Sequence, residues 1–529
     1  MKKNLLFFAV FFSVVFGFAQ VTLVRDIMSG APNGININTE LFKYNNKILF
    51  KSFAGELSYS DGTNSGTFWI NIGIGRAEPE GFTLNSVTNE VYFSARGPGV
   101  NDTTVTELWK TDGTAVGTML VHDFSPFTGW SSRPTDICDN SGIIFCNAYV
   151  NSTGNELCIS DPINTSNNTI SIDPTASGSN PEHLFAFNGN VYFSASGPAG
   201  YRELYVSDGT YSGTGLLKNL NPVGFGDPEE FVEFNNKLYF TAKNGSSGRE
   251  LWVTDGTSAG TYMVADINPG GHSNPSNFHA VGNRLYFSAT NDSTGTELYY
   301  MLTNESVILY RDINPGTASS NPSGFTSYNG YTYFNADDGT NGQELWRTNG
   351  SIFGIGLFKD LNPNGSSSPV SFKKYNGNLY FSADDGTNGE ELWITDGTSV
   401  GTVMIADINP GAGSSAPRFL VDVDGELLFH ADDGSVGREL WKYVDPALST
   451  DDVELSSEIK LLPNPSQDYF SISTQLNIED VLVYDINGKL VKQFYGLQDQ
   501  YKIEDLSTGL YLVNVYSEDK KETLKLMKL

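Results

Sequence analysis

The residues of this chain that can do chemistry recur; few stand alone. Three loops read Asp337-Asp338-Gly339-Thr340-Asn341-Gly342, Asp384-Asp385-Gly386-Thr387-Asn388-Gly389 and Asp432-Asp433-Gly434-Ser435. Clustered carboxylates and side-chain amides suit Ca²⁺, which takes about six to eight oxygen ligands. The same residue types also build β-turns in which Asp and Asn bond their own backbone, and the spacing is not that of an EF-hand. Ca²⁺ is the one cofactor these residues offer; nothing else in the sequence asks for one.

A second recurring group is a glutamate. Glu-Leu-aromatic stands at Glu107, Glu203, Glu250, Glu297, Glu344, Glu391 and Glu439, with degenerate copies at Glu56 and Glu156. A catalytic carboxylate is normally unique, so one present in every unit is expected to bond backbone amides instead. The five histidines, His122, His183, His272, His279 and His430, form neither a metal spacing nor a triad order. Trp130 breaks the pattern: it lies in a connector beside Phe127 and Arg133 and is the candidate for a stacking contact with a ligand.

The elements that must position these residues follow from the period. From Glu156 to Glu391 each step is 47 residues, so one supersecondary unit is repeated. In the clearest unit Phe372–Tyr375 is a strand and Asn376-Gly377 a hairpin turn. Leu379–Ala383, Glu391–Thr395 and Val403–Ile408 are three further strands, separated by turn formers. Second strands such as Leu238-Tyr239-Phe240 and Leu379-Tyr380-Phe381 carry three consecutive apolar residues. Side chains alternate across a strand, so both faces must be buried, as in sheets stacked between neighbours. The last unit, ending at Glu439-Leu440-Trp441, lacks a fourth strand, and Val21–Ile27 is an orphan one. The expected fold is all-β: a β-propeller of about nine four-stranded blades closed by the N-terminal strand, plus a small C-terminal β-sandwich. An open superhelical array of the same units is the alternative.

The same alignment bears on the cysteines. Cys146 and Cys158 replace the aromatic pair seen at Phe381 and Trp393, at the same separation of 12 residues. They are expected to face each other, either as a disulfide, with Cys138 free, or as buried thiols. Only 3 Cys occur, so no general disulfide framework holds the fold.

The ends set the compartment. Lys2 and Lys3 precede an apolar run from Leu5 to Phe18, and Ala19-Gln20 fits a signal-peptide cleavage point. The run is short for a transmembrane span and no second one follows. The chain has 61 Asp+Glu against 32 Lys+Arg, net −29, which disfavours nucleic acid as a partner. The organisation read from these features is a signal peptide at 1–19, repeats at 20–444, a linker at 445–458 and a C-terminal module at 459–529.

Two resemblances follow from quoted motifs. Glu391-Leu392-Trp393-Ile394-Thr395-Asp396-Gly397-Thr398 resembles the ELWxxDGT-repeat proteins of bacterial surfaces, over about residues 21–444. The C-terminal module resembles the type A sorting domain of the Bacteroidetes type IX secretion system. It carries Pro463-Asn464-Pro465, then Tyr484 and Asp485 with Gly488-Lys489, then Gly509 and Tyr511, and ends through Lys525 and Lys528. That resemblance implies the secretion machinery and its sortase as partners, with release or attachment at the outer surface. The function expected is a non-enzymatic repeat protein that binds a glycan or a surface protein. The alternatives are a glycan-degrading propeller, which needs paired carboxylates at non-repeated positions, and a structural or adhesive matrix protein.

Overall fold

The computed structural model describes residues 20–529 apart from 30–32, 72, 74–75, 98–104, 128, 165, 174–177, 352, 446–459, 475–477, 486–488 and 518–519. The expected signal peptide with Ala19, most of the expected linker, and Gly488 therefore lie outside the described residues. The chain divides into two units, Met1–Leu448 and Ser449–Leu529.

Blade 8 shows how a repeat folds. Its strands are Val370–Tyr375, Asn378–Asp384, Glu390–Thr395 and Val403–Ala406, in antiparallel order. Asn376 and Gly377 both have positive φ, 43° and 75°, as a two-residue hairpin turn matched to the strand twist requires. Pairing Phe381 with Trp393 and Ala383 with Glu391 fixes the register, so the aromatic pair of the motif meets across two strands. Leu379, Tyr380 and Phe381 are each 0% exposed, which confirms burial on both faces. Each such side chain contributes roughly 1.5–3 kcal/mol by leaving water.

The rest of the motif builds the turn to the fourth strand. Asp396 Oδ1 accepts hydrogen bonds from Thr398 N and Thr398 Oγ1, both at 2.7 Å. Thr398 Oγ1 then accepts from Gly401 N at 2.9 Å, and the Thr395 and Thr402 hydroxyls bond each other at 2.7 Å. A Cβ on Gly401 would sit 2.3 Å from the Asp396 carboxylate, so only glycine fits. Blades 2 and 5 repeat the same bonds at Asp112 and Asp255.

Nine four-stranded sheets of this kind occur among the described residues. Blades 1 to 9 occupy 42–69, 80–122, 135–170, 182–218, 229–265, 276–311, 323–359, 370–406 and 418–444. The first strands of successive blades approach one another, so they face the axis and the fourth strands form the rim. Blade 9 takes its fourth strand from the other end of the chain: Gln20–Arg25 pairs antiparallel with Arg438–Val444, Gln20 opposite Val444 and Leu23 opposite Trp441. A cluster of buried side chains lies at every blade boundary. One of them joins Val421, Leu428 and Leu440 of blade 9 to Ile48 and Phe50 of blade 1. The ring is closed, as a propeller. Closure leaves no blade with an unpaired inner sheet face.

The second unit contains a three-stranded sheet (Lys460–Leu462, Tyr469–Ser473, Tyr501–Lys502) and a four-stranded one (Leu490–Tyr495, Ile478–Asp485, Gly509–Ser517, Lys520–Lys528). Phe470, Tyr501, Val481, Val483, Val513 and Leu526, all 0% exposed, form one core from residues of both.

Removing residues 20–27 deletes the closing strand and exposes the inner strands of blade 9. The truncated protein is expected to lose its cooperative thermal transition or to aggregate, read by circular dichroism and size-exclusion chromatography.

Candidate functional site

The repeated glutamates are buried and structural. In blade 5, Glu250 Oε2 accepts from Ile267 N at 2.8 Å and Ser273 Oγ at 2.5 Å, while Oε1 accepts from Ser273 N at 3.0 Å. Ile267 follows the fourth strand and Ser273 precedes the next blade, so the carboxylate ties down the connector between blades. Glu297, Glu344 and Glu391 repeat the arrangement through Ser320, Ser367 and Ser415. Glu439 does the same for the ring closure, accepting from Ile27 N at 2.9 Å. Blades 4 and 9 differ because glycine, Gly226 or Gly34, stands where the serine would be. There Glu203 Oε1 and Glu439 Oε1 are buried without a hydrogen-bond partner among the described residues. Burial pushes the carboxyls of Glu203, Glu439 and Glu107 up to about 7.

The Asp-rich loops close on themselves. Asp385 Oδ1 accepts from Thr387 N and Asn388 N, both at 2.8 Å, and its Oδ2 from Asn388 Nδ2 at 2.7 Å. Asp338 and Asp433 make equivalent turns, and Asp337, Asp384 and Asp432 each accept from a glycine N–H two residues on. Among the described residues no group of three or more His, Cys, Asp and Glu side chains is placed to hold a metal ion.

Cys146 and Cys158 lie directly opposite each other on adjacent strands, as the alignment predicts. The disulfide is nevertheless not formed: both are free, 0% exposed thiols, and Cys138 is also free. Directly opposed strand positions hold Cβ atoms about 4.5–5.5 Å apart, wider than the roughly 3.8 Å a disulfide prefers. The Cys158 thiol lies instead 3.7 Å from Thr169 Oγ1, and burial raises its pKa to about 12, far from reactivity. His430 is likewise not a surface group. It is buried between Thr39 and Arg438, and burial lowers its pKa to about 3, so it stays neutral. Gln20 opens the closing strand.

Trp130 stands apart. It is 52% exposed in the connector between blades 2 and 3, and its ring stacks on Tyr149 at 5.6 Å between centroids and 12° between planes. The pair borders a cavity of about 480 Å³ whose wall also includes Ser131, Arg133, Thr135, Asn147 and Asn155. Arg133 is held in a left-handed conformation, φ 45°, and its N–H donates to Thr106 O at 2.9 Å. An apolar plate, a guanidinium and two amides around one concavity can take a sugar ring and its hydroxyls. None of these residues is a carboxylate. Tyr149 had a sequence signal: it stands where blades 7 and 8 have Asp337 and Asp384.

In the C-terminal unit Asn464 Nδ2 donates to Lys525 O at 2.7 Å and Asn464 Oδ1 accepts from Met527 N at 2.9 Å, joining the first sorting motif to the last. Asp485 Oδ1 accepts from Lys489 N at 2.9 Å, and Tyr511 Oη donates to Ser507 O at 2.8 Å. Gly509 opens the strand that contains Tyr511, and Lys528 ends the last one. Tyr484 lies in Ile478–Asp485, and Pro463 and Pro465 flank Asn464.

With this geometry in view, residues 460–528 match the family described as "Secretion system C-terminal sorting domain". The chain thus carries a type IX secretion sorting domain at its C-terminus, which directs it to the cell surface or the extracellular space. No curated protein matches the chain. Among solved structures, the Dos1 propeller is 13% identical over 69% of this chain and 92% of its own, with a TM-score of 0.41. PorZ, a bacterial surface component of the type IX secretion system of Porphyromonas gingivalis, is 11% identical over 93% of this chain and 86% of its own, TM-score 0.25. A puromycin hydrolase is 15% identical over 55% of this chain, TM-score 0.35, and the match spans 48% of that hydrolase. None of these likenesses carries an activity over to this chain.

Two measurements check the site chemistry. Denatured, unreduced protein is expected to release three titratable thiols. The buried glutamates set a pH dependence: a carboxyl raised in the folded state stabilises fully below its ordinary value of about 4.3 and loses that contribution as pH climbs through about 7. The turn aspartates, lowered first by the Thr398 hydroxyl at Asp396, lose theirs only in acid, below about 3.9. Melting temperature is therefore expected to fall from pH 5.5 to pH 8, and the fall to narrow in Glu203→Gln.

Proposed function

We propose that the protein is an exported, non-enzymatic binding disc that engages a glycan through Trp130 and Tyr149. The observation that carries this reading is the half-exposed Trp130 ring, stacked on a second aromatic at the edge of a polar cavity, in a chain whose other indole positions are mostly blade core. An exposed stacked pair presents a flat apolar plate at little cost in side-chain entropy, which suits the carbon face of a sugar. Arg133, Asn147 and Asn155 supply hydrogen-bond donors and acceptors around it. Hydrolysis of a glycosidic bond needs two carboxyl groups about 5–10 Å apart, and this cavity wall offers none. Binding without cleavage is the reading these residues support.

The sorting domain gives such a disc its address. The sortase is then a processing partner, removing the C-terminal unit and leaving the propeller outside the cell, released or attached to the surface. A signal peptide ending at Ala19 accounts for the first step of the route.

The experiment is a glycan array probed with the protein and with Trp130→Ala, each with and without Ca²⁺. Binding is expected to be indifferent to Ca²⁺ and to weaken at least about tenfold in Trp130→Ala, the loss of one stacked ring being worth roughly 1–3 kcal/mol. Hits that survive Trp130→Ala place the contact elsewhere, and Ca²⁺-dependent hits move it to the Asp-rich loops.

A further inference from the structure

A second concavity lies on the opposite side of the ring from Trp130. Adjacent antiparallel strands run in opposite directions, so the hairpins between first and second strands share a face with the turns between third and fourth strands. The blade connectors, with Trp130, occupy the other face. Across blades 6, 7 and 8 the hairpin face holds a cavity of about 370 Å³. Its wall includes Arg284, Lys374, Tyr286, Tyr328, Tyr331 and Asn329, and no carboxylate.

That charge balance is unusual for this molecule. The chain carries a net charge of −29, and the comparable cavity at blade 1, about 540 Å³, sets Glu40, Glu78 and Glu80 against Lys51. Many of the propeller's other cations are paired, as Lys237 is with Glu305 at 2.6 Å and Lys442 with Glu426 at 2.6 Å. Among the described residues Arg284 has no carboxylate partner. Its guanidinium lies over the Tyr300 ring, 5.0 Å from the centroid, and its Nε is buried without a hydrogen-bond partner. Lys374 is exposed, and among the described residues its ammonium makes no hydrogen bond or ion pair. Glycine at position 350 leaves the guanidinium its space: a Cβ there would come within 2.3 Å of Arg284 Nη1. Cations recur at both positions, Lys47 and Lys237 at that of Arg284 and Lys43 at that of Lys374, but Lys237 differs from Arg284 in being paired with Glu305.

We propose that this cavity binds an oxyanion, the carboxylate or sulfate of a small acidic ligand, with Arg284 and Lys374 as its cationic contacts. A planar guanidinium without a carboxylate partner donates to such a group in fixed geometry, and a flexible ammonium adds charge from the rim. Charge-assisted hydrogen bonds of this kind gain strength in a partly desolvated concavity. The tyrosine rings around the cations give an attached sugar a surface to lie on. The site is separate from the Trp130 contact and does not depend on it.

Isothermal titration at low salt tests this with four probes: glucuronate, glucose 6-sulfate, inorganic sulfate and neutral glucose. The acidic probes are expected to bind, with affinity falling as salt rises, and glucose to give no heat. Lys374→Gln, at an exposed position that leaves the fold intact, is expected to weaken binding about tenfold, and Arg284→Gln at least as much, while Trp130→Ala changes nothing. Inorganic sulfate binding as tightly as the two sugars supports recognition of the bare oxyanion. Weaker sulfate binding supports added contact between sugar and tyrosine. The proposal is overturned if no acidic probe binds, or if binding is unchanged in both Lys374→Gln and Arg284→Gln with melting temperatures like that of the parent.

Discussion

A carboxylate buried at the connectors between blades is the interaction on which the rest of the propeller depends. A blade can form from local pairing alone, because its strands are joined by short turns. Its position relative to the next blade is set by a connector of polar residues, which has no strand to pair with. Glu250, Glu297, Glu344 and Glu391 answer this by offering two oxygens to the backbone and serine groups of that connector. An ionised group taken out of water is costly unless its lone pairs are filled, so each connector is fixed by a requirement as well as by an attraction. The same chemistry closes the ring, where Glu439 reaches Ile27 from the far end of the chain.

Once the connectors are fixed, stacking follows. The second strand of each blade is buried on both faces because sheets lie on either side of it, and the aromatic pair across second and third strands fills the gap between blades. Departures from the repeat then become informative. Cys146 and Cys158 substitute for such a pair without crosslinking, keeping an apolar contact in a smaller volume. Among the described residues Gly226 and Gly34 leave carboxylate oxygens unanswered, where other connectors supply a serine. Trp130 replaces the small residues of other connectors, and Arg284 and Lys374 line one cavity whose wall holds no carboxylate. A regular scaffold with a few irregular side chains on its two faces is the arrangement of a binding disc.

Export is a property of the other unit. Asn464 bonds the backbone at Lys525 and Met527, so the first and last sorting motifs are parts of one local structure rather than separate signals. The two units therefore divide the work: one supplies the surfaces, the other the destination.

Much of this was legible in the chain alone. The period of 47 residues, the Asn-Gly and Asp-Gly-Thr turns and the doubly apolar second strands determined blade and stacking, because each is a local or periodic constraint that repetition makes redundant; between a closed ring and an open array the structure decided. The orphan strand at Gln20–Arg25 could be assigned to blade 9 because a missing strand and a surplus one had to match. Tyr149 was not foreseen as the partner of Trp130, nor were Arg284 and Lys374 as neighbours. Trp130 and Tyr149 meet only where a connector folds back on the end of a strand, and Arg284 and Lys374 only across blade 7, from the blades on either side of it. Sequence spacing states what lies along a strand or across a hairpin. Which irregular side chains share one concavity depends on how successive sheets are rotated about the axis, and only the tertiary structure decides that.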